Sequence, residues 1–444
     1  MLDDMTSIFQ SESPKGEKSK RKFSFTRKKS FDSSECNMAT TKKKQIKMTR
    51  QKKKLFRSNE PLISVMVWSV NNSIRELENV NIPVMLMPAD FKAYTKVKVD
   101  NYLYNKENLP SKYKLKNYCP LVFRNLRERF NVDDEDYLSS MTACDPISSG
   151  LSPGKTNAKF FMAHDRNFIV KTMASEDVEQ MHHVLKDYHQ FILECSGVTL
   201  LPQYLNMFRL TVDGTETYMM IMRNIFSTSL HIHRKYDLKG STFDRKASDK
   251  EKAKAFPTLK DNDFRENQEC IHIGSEAKEA LIKRLERDVQ FLQNLKIMDY
   301  SLLIGIHDCA LAAAGDCGED SVDLNFDEEL ENSGGEDDDQ VLSSSGEGPP
   351  TTPPQHTHNN THHTPPVDVD PKFDVYALKS AEDAPNKCIY FIGLIDCLTH
   401  WGTKKKMAQA AKTVRHGSEA DNLSTVNPEQ YARRFMDLVN EICQ

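Results

Sequence analysis

The sequence predicts an α+β fold, and three observations carry that expectation. Strand-type alternation comes in neighbouring pairs, the mark of antiparallel hairpins. Helical periodicity occupies separate long stretches between the pairs. The two patterns together fill most of a 444-residue chain, long enough for about two to three domains of ordinary size.

Taken in order, Ser58, Asn59, Glu60 and Pro61 read as a helix start, polar residues ahead of a proline in the first turn. Leu62, Val65, Met66, Val70, Ile74 and Leu77 then recur at helical spacing. Residues 94–99 alternate strictly, valines on one side and Tyr94, Lys96 and Lys98 on the other, as suits an edge strand. Residues 159–173 form a hairpin with a polar turn at 164–167, and 179–195 a helix. Strands at 204–212 and 216–224 flank Asp213-Gly214, a strong hairpin signal. Residues 276–295 make a helix with Leu281, Leu285, Val289, Leu292 and Leu295 on one stripe. A polar dip at 296–300 leads into an apolar strand, 388–398 is a buried strand carrying Asp396 at its end, and 427–443 is a closing amphipathic helix.

Composition narrows the function classes. With 38% hydrophobic and 28% charged residues, and no run of about 18 apolar residues, a membrane-spanning protein is not expected. No secretory leader is visible, and ten cysteines scattered without CxxC pairs read as free thiols in a reducing compartment. The net charge of −4 conceals two opposed segments: residues 1–57 hold 17 Lys+Arg against 6 Asp+Glu, whereas 316–347 hold 13 acids and no Lys or Arg. Both are expected to be disordered, since neither holds enough apolar side chains to offset the entropy of ordering. The expected organisation is a basic arm at 1–57, an N-terminal lobe at 58–221 and a C-terminal lobe at 222–444. The second lobe is interrupted by an acidic, then Pro/His-rich insert at 309–371. The insert's His356, His358, His362 and His363 read as low complexity rather than a metal site.

Three residues carry chemistry by type and position: Lys171 at the end of an apolar strand, Asp299 between a helix and a strand, and Asp396 ending a late strand. Phosphoryl transfer needs that order: a strand lysine for the α- and β-phosphates, one carboxylate to orient the attacking hydroxyl, and a second to hold magnesium. The protein-kinase strings His-Arg-Asp, Asp-Phe-Gly and Ala-Pro-Glu are absent.

Longer strings add a resemblance. Met298-Asp299-Tyr300-Ser301-Leu302-Leu303, Asp237-Leu238-Lys239-Gly240-Ser241, Asn117-Tyr118-Cys119-Pro120 with Phe123-Arg124-Asn125-Leu126-Arg127, and Leu394-Ile395-Asp396 resemble the phosphatidylinositol phosphate kinase family. The likeness runs from about residue 54 to the end, apart from the insert. Lys260-Asp261-Asn262-Asp263-Phe264, Ser248-Asp249-Lys250-Glu251-Lys252 and the stretch 403–414 resemble the type II enzymes, which phosphorylate phosphatidylinositol 5-phosphate at the 4-position. The last stretch matches the activation loop, expected at 397–423, where Ala408 stands at the place of a type I glutamate.

This resemblance implies a two-lobed kinase fold using ATP and Mg2+. Lys171 would bind ATP phosphates, Asp299 would be the catalytic aspartate and Asp396 the magnesium ligand. Ile169, Asn224, Phe226 and Leu303 would line the adenine pocket. Lys239, Arg245 and Lys260 would hold the inositol phosphates, a dense anion that suits such cations, with Ala408 bearing on lipid choice. The alternatives are a type I-like 5-kinase and a low-activity phosphoinositide-binding scaffold. The glycine loop is poor, with only Gly150 and Gly154 before the hairpin, and Met222 beside the adenine pocket leaves nucleotide preference open. Glu176, Glu179 and Glu194 are all candidates to pair with Lys171.

The expected partners follow from the same resemblance: a phosphoinositide substrate, a peripheral membrane surface, a second copy of the chain through the 62–77 helix and the strand at Tyr94, and no nucleic acid. The expected location is cytoplasmic, peripheral on plasma membrane or endomembranes, and also nuclear if the basic arm serves import. Residues 18–31 of that arm interleave lysines, phenylalanines and serines and resemble the effector segment of the myristoylated alanine-rich C-kinase substrate, a nuclear-import or plain polybasic reading standing beside it.

Overall fold

The structure, a computed structural model, describes residues 58, 60–81, 83–100, 110, 112–151, 158–315, 369–402 and 426–444. The basic arm, most of the insert, Gly154 and Ala408 lie outside the described residues.

The opening helix α1 (Pro61–Glu78) forms where expected. Ser58 braces its start, accepting the Glu60 N–H at 3.2 Å and, through its carbonyl, the Ser64 hydroxyl at 2.7 Å. Its burial goes beyond one stripe, because Ile63 to Val67 are all buried, and a helix apolar around its girth belongs inside a core. Its apolar side chains are therefore consumed within the protomer.

That strand, β1 (Tyr94–Asp100), lies at the edge of a seven-stranded sheet of order β1-β2-β6-β7-β5-β4-β3. Its partner β2 (Lys112–Tyr118) is followed by α2 (Pro120–Arg129), α3 (Asp134–Thr142) and β3 (Ile147–Leu151). The hairpin expected at 159–173 is β4 (Lys159–Met162) with β5 (Phe168–Met173), and the next helix is α4 (Ser175–Glu194). Strands β6 (Tyr204–Val212) and β7 (Thr215–Arg223) turn through Asp213 and Gly214 at φ 49° and 82°. Two left-handed residues match the right-handed twist of the flanking strands.

The second sheet has five strands in the order β11-β12-β10-β8-β9. It is built from β8 (Arg234–Leu238), β9 (Thr258–Lys260), β10 (Ser301–Asp308), β11 (Ala377–Lys379) and β12 (Cys388–Ile395). The short helix α5 (Asp249–Lys252) lies on the crossover between β8 and β9, which makes that pair parallel in an otherwise antiparallel sheet. Helix α6 (Asp261–Glu266) follows β9, and α7 (Ser275–Asn294) buries the expected Leu281, Leu285, Val289 and Leu292. The insert begins with structure rather than without it: Asp308 caps a helical turn, α8 (Cys309–Ala313), by accepting the Ala310 and Leu311 N–H groups. The closing helix is α9 (Pro428–Ile442).

The two sheets are stitched together by the buried segment 199–201. The Leu394 N–H on β12 donates to the Leu200 carbonyl at 2.7 Å, the Tyr376 hydroxyl to the Leu201 carbonyl at 3.0 Å, and the Leu200 N–H to Asp288 Oδ2 on α7 at 2.6 Å. Asp288 is wholly buried, and burial pushes its carboxyl up to about 6 against the opposing pull of Leu200 and Thr199. The residues leaving β7 then cross the second sheet at two glycines. A Cβ at Gly305 would meet the Phe226 ring at 2.5 Å, and one at Gly393 would meet the Ile225 side chain at 2.8 Å.

Candidate active site

Register decides what meets at the lower edge of the five-stranded sheet. Ser301 pairs with Ile395, Leu302 with Leu238, and Asp237 with Lys260. The start of β10, the ends of β12 and β8, and the end of β9 therefore lie side by side, with neighbouring strands about 4.8 Å apart. Asp299, Asp396, Lys239 and Lys260 thus emerge along a single edge from four adjacent strands.

Both aspartates sit in the left-handed region, Asp299 at φ 64° and Asp396 at φ 59°. Among non-glycine residues that region favours Asp and Asn, so each carboxylate can stand on a sharp bend at a strand end. The bend at Asp299 is held from two sides. Lys239 Nζ donates to its carbonyl at 2.6 Å, and the Tyr431 hydroxyl on α9 donates to the next carbonyl, that of Tyr300.

From the other sheet, Lys171 on β5 reaches across and pairs with Asp396 at 2.8 Å, its ammonium also lying 5.5 Å from the Phe160 ring centroid. The pair is open to solvent, at 27% and 48% side-chain exposure. Partial desolvation by the protein packed around the Asp396 carboxyl would raise its pKa, but the Lys171 ammonium hydrogen-bonded to it, with Lys239 beyond, holds it below the ordinary carboxylate range. None of the three helix glutamates pairs with Lys171 among the described residues. Glu176 accepts the Ser175 hydroxyl at 3.0 Å, Glu179 faces His183 and Glu194 accepts from Gln190. Asp396 has taken the place expected of them.

The adenine-side candidates divide in two. Ile169 is two residues from Lys171 on β5, on the same side of the strand, and is paired with Met222. Leu303 and Gly305 share a face of β10, so Phe226, seated on Gly305, stands on the Leu303 side. Asn224 is engaged in the chain's own turn: its amide donates to the Arg166 carbonyl at 2.9 Å and its side-chain oxygen accepts the Phe226 N–H at 3.2 Å. Those bonds fix the turn that leaves β7.

Arg245, expected to grip phosphate, is gripped itself. It pairs with Asp261 at 2.7 Å and Asp237 at 2.8 Å, and at 9% exposure it is buried. Burial lowers its pKa, but the two carboxylates outweigh that and raise it. Asp261, 2% exposed, also accepts the Lys239 and Gly240 N–H groups at 2.9 and 2.8 Å. A Cβ at Gly240, which sits at φ 71°, would lie 2.8 Å from the Arg434 carbonyl of α9. Sequence reasoning passed over Asp261, Asp237, Asp288 and Tyr431. The one available signal was that acids inside motifs bracketed by cations, as in 260–263, serve as hydrogen-bond hubs when buried.

A magnesium–nucleotide site needs one or two protein carboxylates, the rest of its shell coming from phosphates and water. Asp396, ionised and half-exposed beside a lysine, fits that need. No cluster of three or more His, Cys, Asp or Glu able to hold a metal by itself is found among the described residues.

A mixed α+β chain whose two sheets meet at a strand lysine and a strand-end aspartate has the arrangement that a kinase-type phosphotransferase requires. Comparison with known proteins is narrower still. The family model described as phosphatidylinositol-4-phosphate 5-kinase matches residues 141–442, and the chain belongs to that family. It is 54% identical over 392 residues to human "Phosphatidylinositol 5-phosphate 4-kinase type-2 beta", covering 88% of this chain and 92% of the relative. It is 52% identical over 404 residues to the type-2 alpha protein of Gallus gallus, and 51% to that of Homo sapiens, each over 90% of this chain and 96% of the relative. As a kinase-family member it uses ATP.

Proposed function

We propose that this chain is a phosphatidylinositol 5-phosphate 4-kinase, transferring the γ-phosphate of ATP to the 4-hydroxyl of the lipid to give phosphatidylinositol 4,5-bisphosphate. The observation that carries the reading is identity above 50% to type-2 relatives across nearly the whole chain. The convergence of Lys171, Asp299 and Asp396 supports it.

In this reading Lys171 holds ATP phosphate oxygens, exchanging its bond to Asp396 for them. Asp396 is the carboxylate for Mg2+, which when bound neutralises charge on the phosphates. Asp299 orients the 4-hydroxyl and accepts its proton as the oxygen attacks the γ-phosphorus and the bond to the bridging oxygen breaks, releasing ADP. Ile169, Phe226 and Leu303 pack on adenine, with Asn224 fixing the turn beside them. Lys239 and Lys260 face the headgroup. Arg245 enters through Asp261, which it neutralises, so that Asp261 can hold the backbone of Lys239 and Gly240 in place.

The membrane partner is an anionic surface met by Lys96 and Lys98, each cation worth about 1 kcal/mol near such a surface. A second copy would pair along the free edge of β1, aligning two such faces. No described helix is long and apolar enough to cross a bilayer, in keeping with peripheral attachment to plasma membrane or endomembranes from the cytoplasm, and with nuclear entry if the arm acts in import.

The test is transfer from labelled ATP to each monophosphorylated lipid in vesicles. The 5-phosphate should outcompete the 4-phosphate, and Ala408→Glu should shift activity toward the latter. A wild-type preference for the 4-phosphate would sink the type II reading.

A further inference from the structure

The exposed large apolar side chains of the described residues concentrate on one stretch ahead of β1. Val84 is 108% exposed, Met85 70% and Met87 55%. Contiguous apolar exposure of this kind marks a contact surface, whereas single exposed residues mean little.

The stretch is built rather than frayed. Leu86 and Phe91 pack against the core. Between them Asp90 accepts the Met87 N–H at 2.6 Å, its own N–H returns to the Met87 carbonyl at 2.9 Å, and the Lys92 N–H reaches the Ala89 carbonyl at 3.0 Å. Two anchors and a run of turns thus hold Val84, Met85 and Met87 outward.

What lies beside the loop says what covers it. The chain passes through exposed Lys92 straight into β1, where Tyr94, Lys96 and Lys98 share the exposed face. Across the sheet Lys96 stands opposite Lys116, and Lys116 opposite Arg209; Lys98 stands opposite Lys114. Directly opposed like charges destabilise a sheet; Glu216 offsets Arg209 at 3.1 Å, and an anionic surface would offset the exposed Lys96 and Lys98. Burial, with Arg209 and Lys96 alongside, lowers the Lys116 pKa, and its ammonium leans on the Tyr94 and Tyr118 rings at 4.3 and 4.5 Å. An apolar tip flanked by tyrosine and a cationic sheet is the composition of an element seated at a bilayer interface, with apolar groups below the headgroups and cations among them.

We propose that the loop at 83–87 inserts Val84, Met85 and Met87 into the boundary between headgroups and acyl chains of an anionic bilayer, while Tyr94, Lys96 and Lys98 engage the headgroups. The inference rests on the membrane docking proposed above and adds a hydrophobic anchor to it.

The experiment uses the full chain and vesicles of phosphatidylcholine with and without phosphatidylserine. In Val84→Trp protein, the emission difference from wild type should shift to the blue on phosphatidylserine vesicles and be quenched by brominated acyl chains. The triple change Val84→Asp, Met85→Asp and Met87→Asp should lower vesicle partitioning about tenfold or more, as burying a charge in place of apolar area demands. Its turnover of a short-chain soluble lipid and its mass by light scattering should match wild type. Unchanged emission on vesicles that bind the protein overturns insertion. So does wild-type partitioning of the triple variant; if Lys96→Glu with Lys98→Glu still abolishes binding, docking stands without the anchor. A triple variant that instead loses a subunit in light scattering would show that the loop covers a second copy, which also overturns the proposal.

Discussion

Two ion-pair constellations at the same end of the second sheet behave as opposites. Lys171 and Asp396 meet across the two sheets at 2.8 Å with both side chains open to solvent, whereas Arg245 is locked between Asp237 and Asp261 at 10%, 23% and 2% exposure. An exposed pair contributes little to stability and can exchange partners cheaply. A buried one is costly to break because either survivor is left as an uncompensated charge. The open pair is thus fitted to hold a ligand and the closed one to hold a backbone.

That contrast can be broken most forcefully at the open pair. Asp396→Asn should cut phosphoryl transfer by about three orders of magnitude or more, with a denaturant midpoint close to wild type. Lys171→Met should do the same while weakening productive ATP binding. A folded Asp396→Asn enzyme of near wild-type rate would remove Asp396 from the chemistry. At the closed pair the pattern should reverse: Asp261→Ala should cost about 3–5 kcal/mol in urea unfolding, since it leaves buried Arg245 with Asp237 alone and orphans the Lys239 and Gly240 N–H groups. An Asp261→Ala protein as stable as its parent would mean the cluster is not holding the 237–245 loop.

Titration sharpens the difference further. The Asp288 carboxyl is raised to about 6 in the folded chain and is near 4 when unfolded. Between those values the folded state keeps a proton that the unfolded state has lost. Stability therefore falls by up to about 3 kcal/mol as pH rises through that window and is flat above it. Asp288→Asn should erase the slope between pH 4 and 6, and an unaltered slope in that variant would assign it elsewhere. For Asp396 the sign is opposite: its depressed pKa gives stability that is present above the unfolded value near 4 and lost as pH falls through the folded one. This effect is the smallest of these because the pair is solvent-screened, and Lys171→Met should abolish it.

Period and punctuation made most elements legible. The Asp213-Gly214 turn, the α7 stripe and the alternation of β1 all needed only local pattern. Strand β2 went unread although Tyr113 and Leu115 alternate with Lys112, Lys114 and Lys116 much as in β1, because so dense a run of lysines also suits a solvated loop. Helix α8 was hidden at the start of a stretch whose composition reads as linker. At the site, residue types led to Lys171, Asp299 and Asp396, yet the partner of Lys171 could not be read from α4. The choice between a helix glutamate and Asp396 depends on how two sheets approach each other, and no local pattern encodes that distance. The ion pairs of Arg245 were hidden for a related reason. A cation in a motif looks the same whether it faces a ligand or, 16 residues along the chain, a buried Asp261.

The left-handed bends at Asp299 and Asp396 have an evolutionary consequence. At such positions asparagine and glycine fit the backbone as comfortably as aspartate, while almost every other residue strains it. Each is one nucleotide away from an aspartate codon. On the roles proposed for the two carboxylates, the shortest mutational path out of catalysis is therefore also the one least opposed by folding. A single Asp-to-Asn or Asp-to-Gly step at either bend would then leave a well-folded chain that keeps its surfaces and loses its chemistry, so a duplicated copy could drift into a lipid-binding pseudoenzyme without passing through an unstable intermediate.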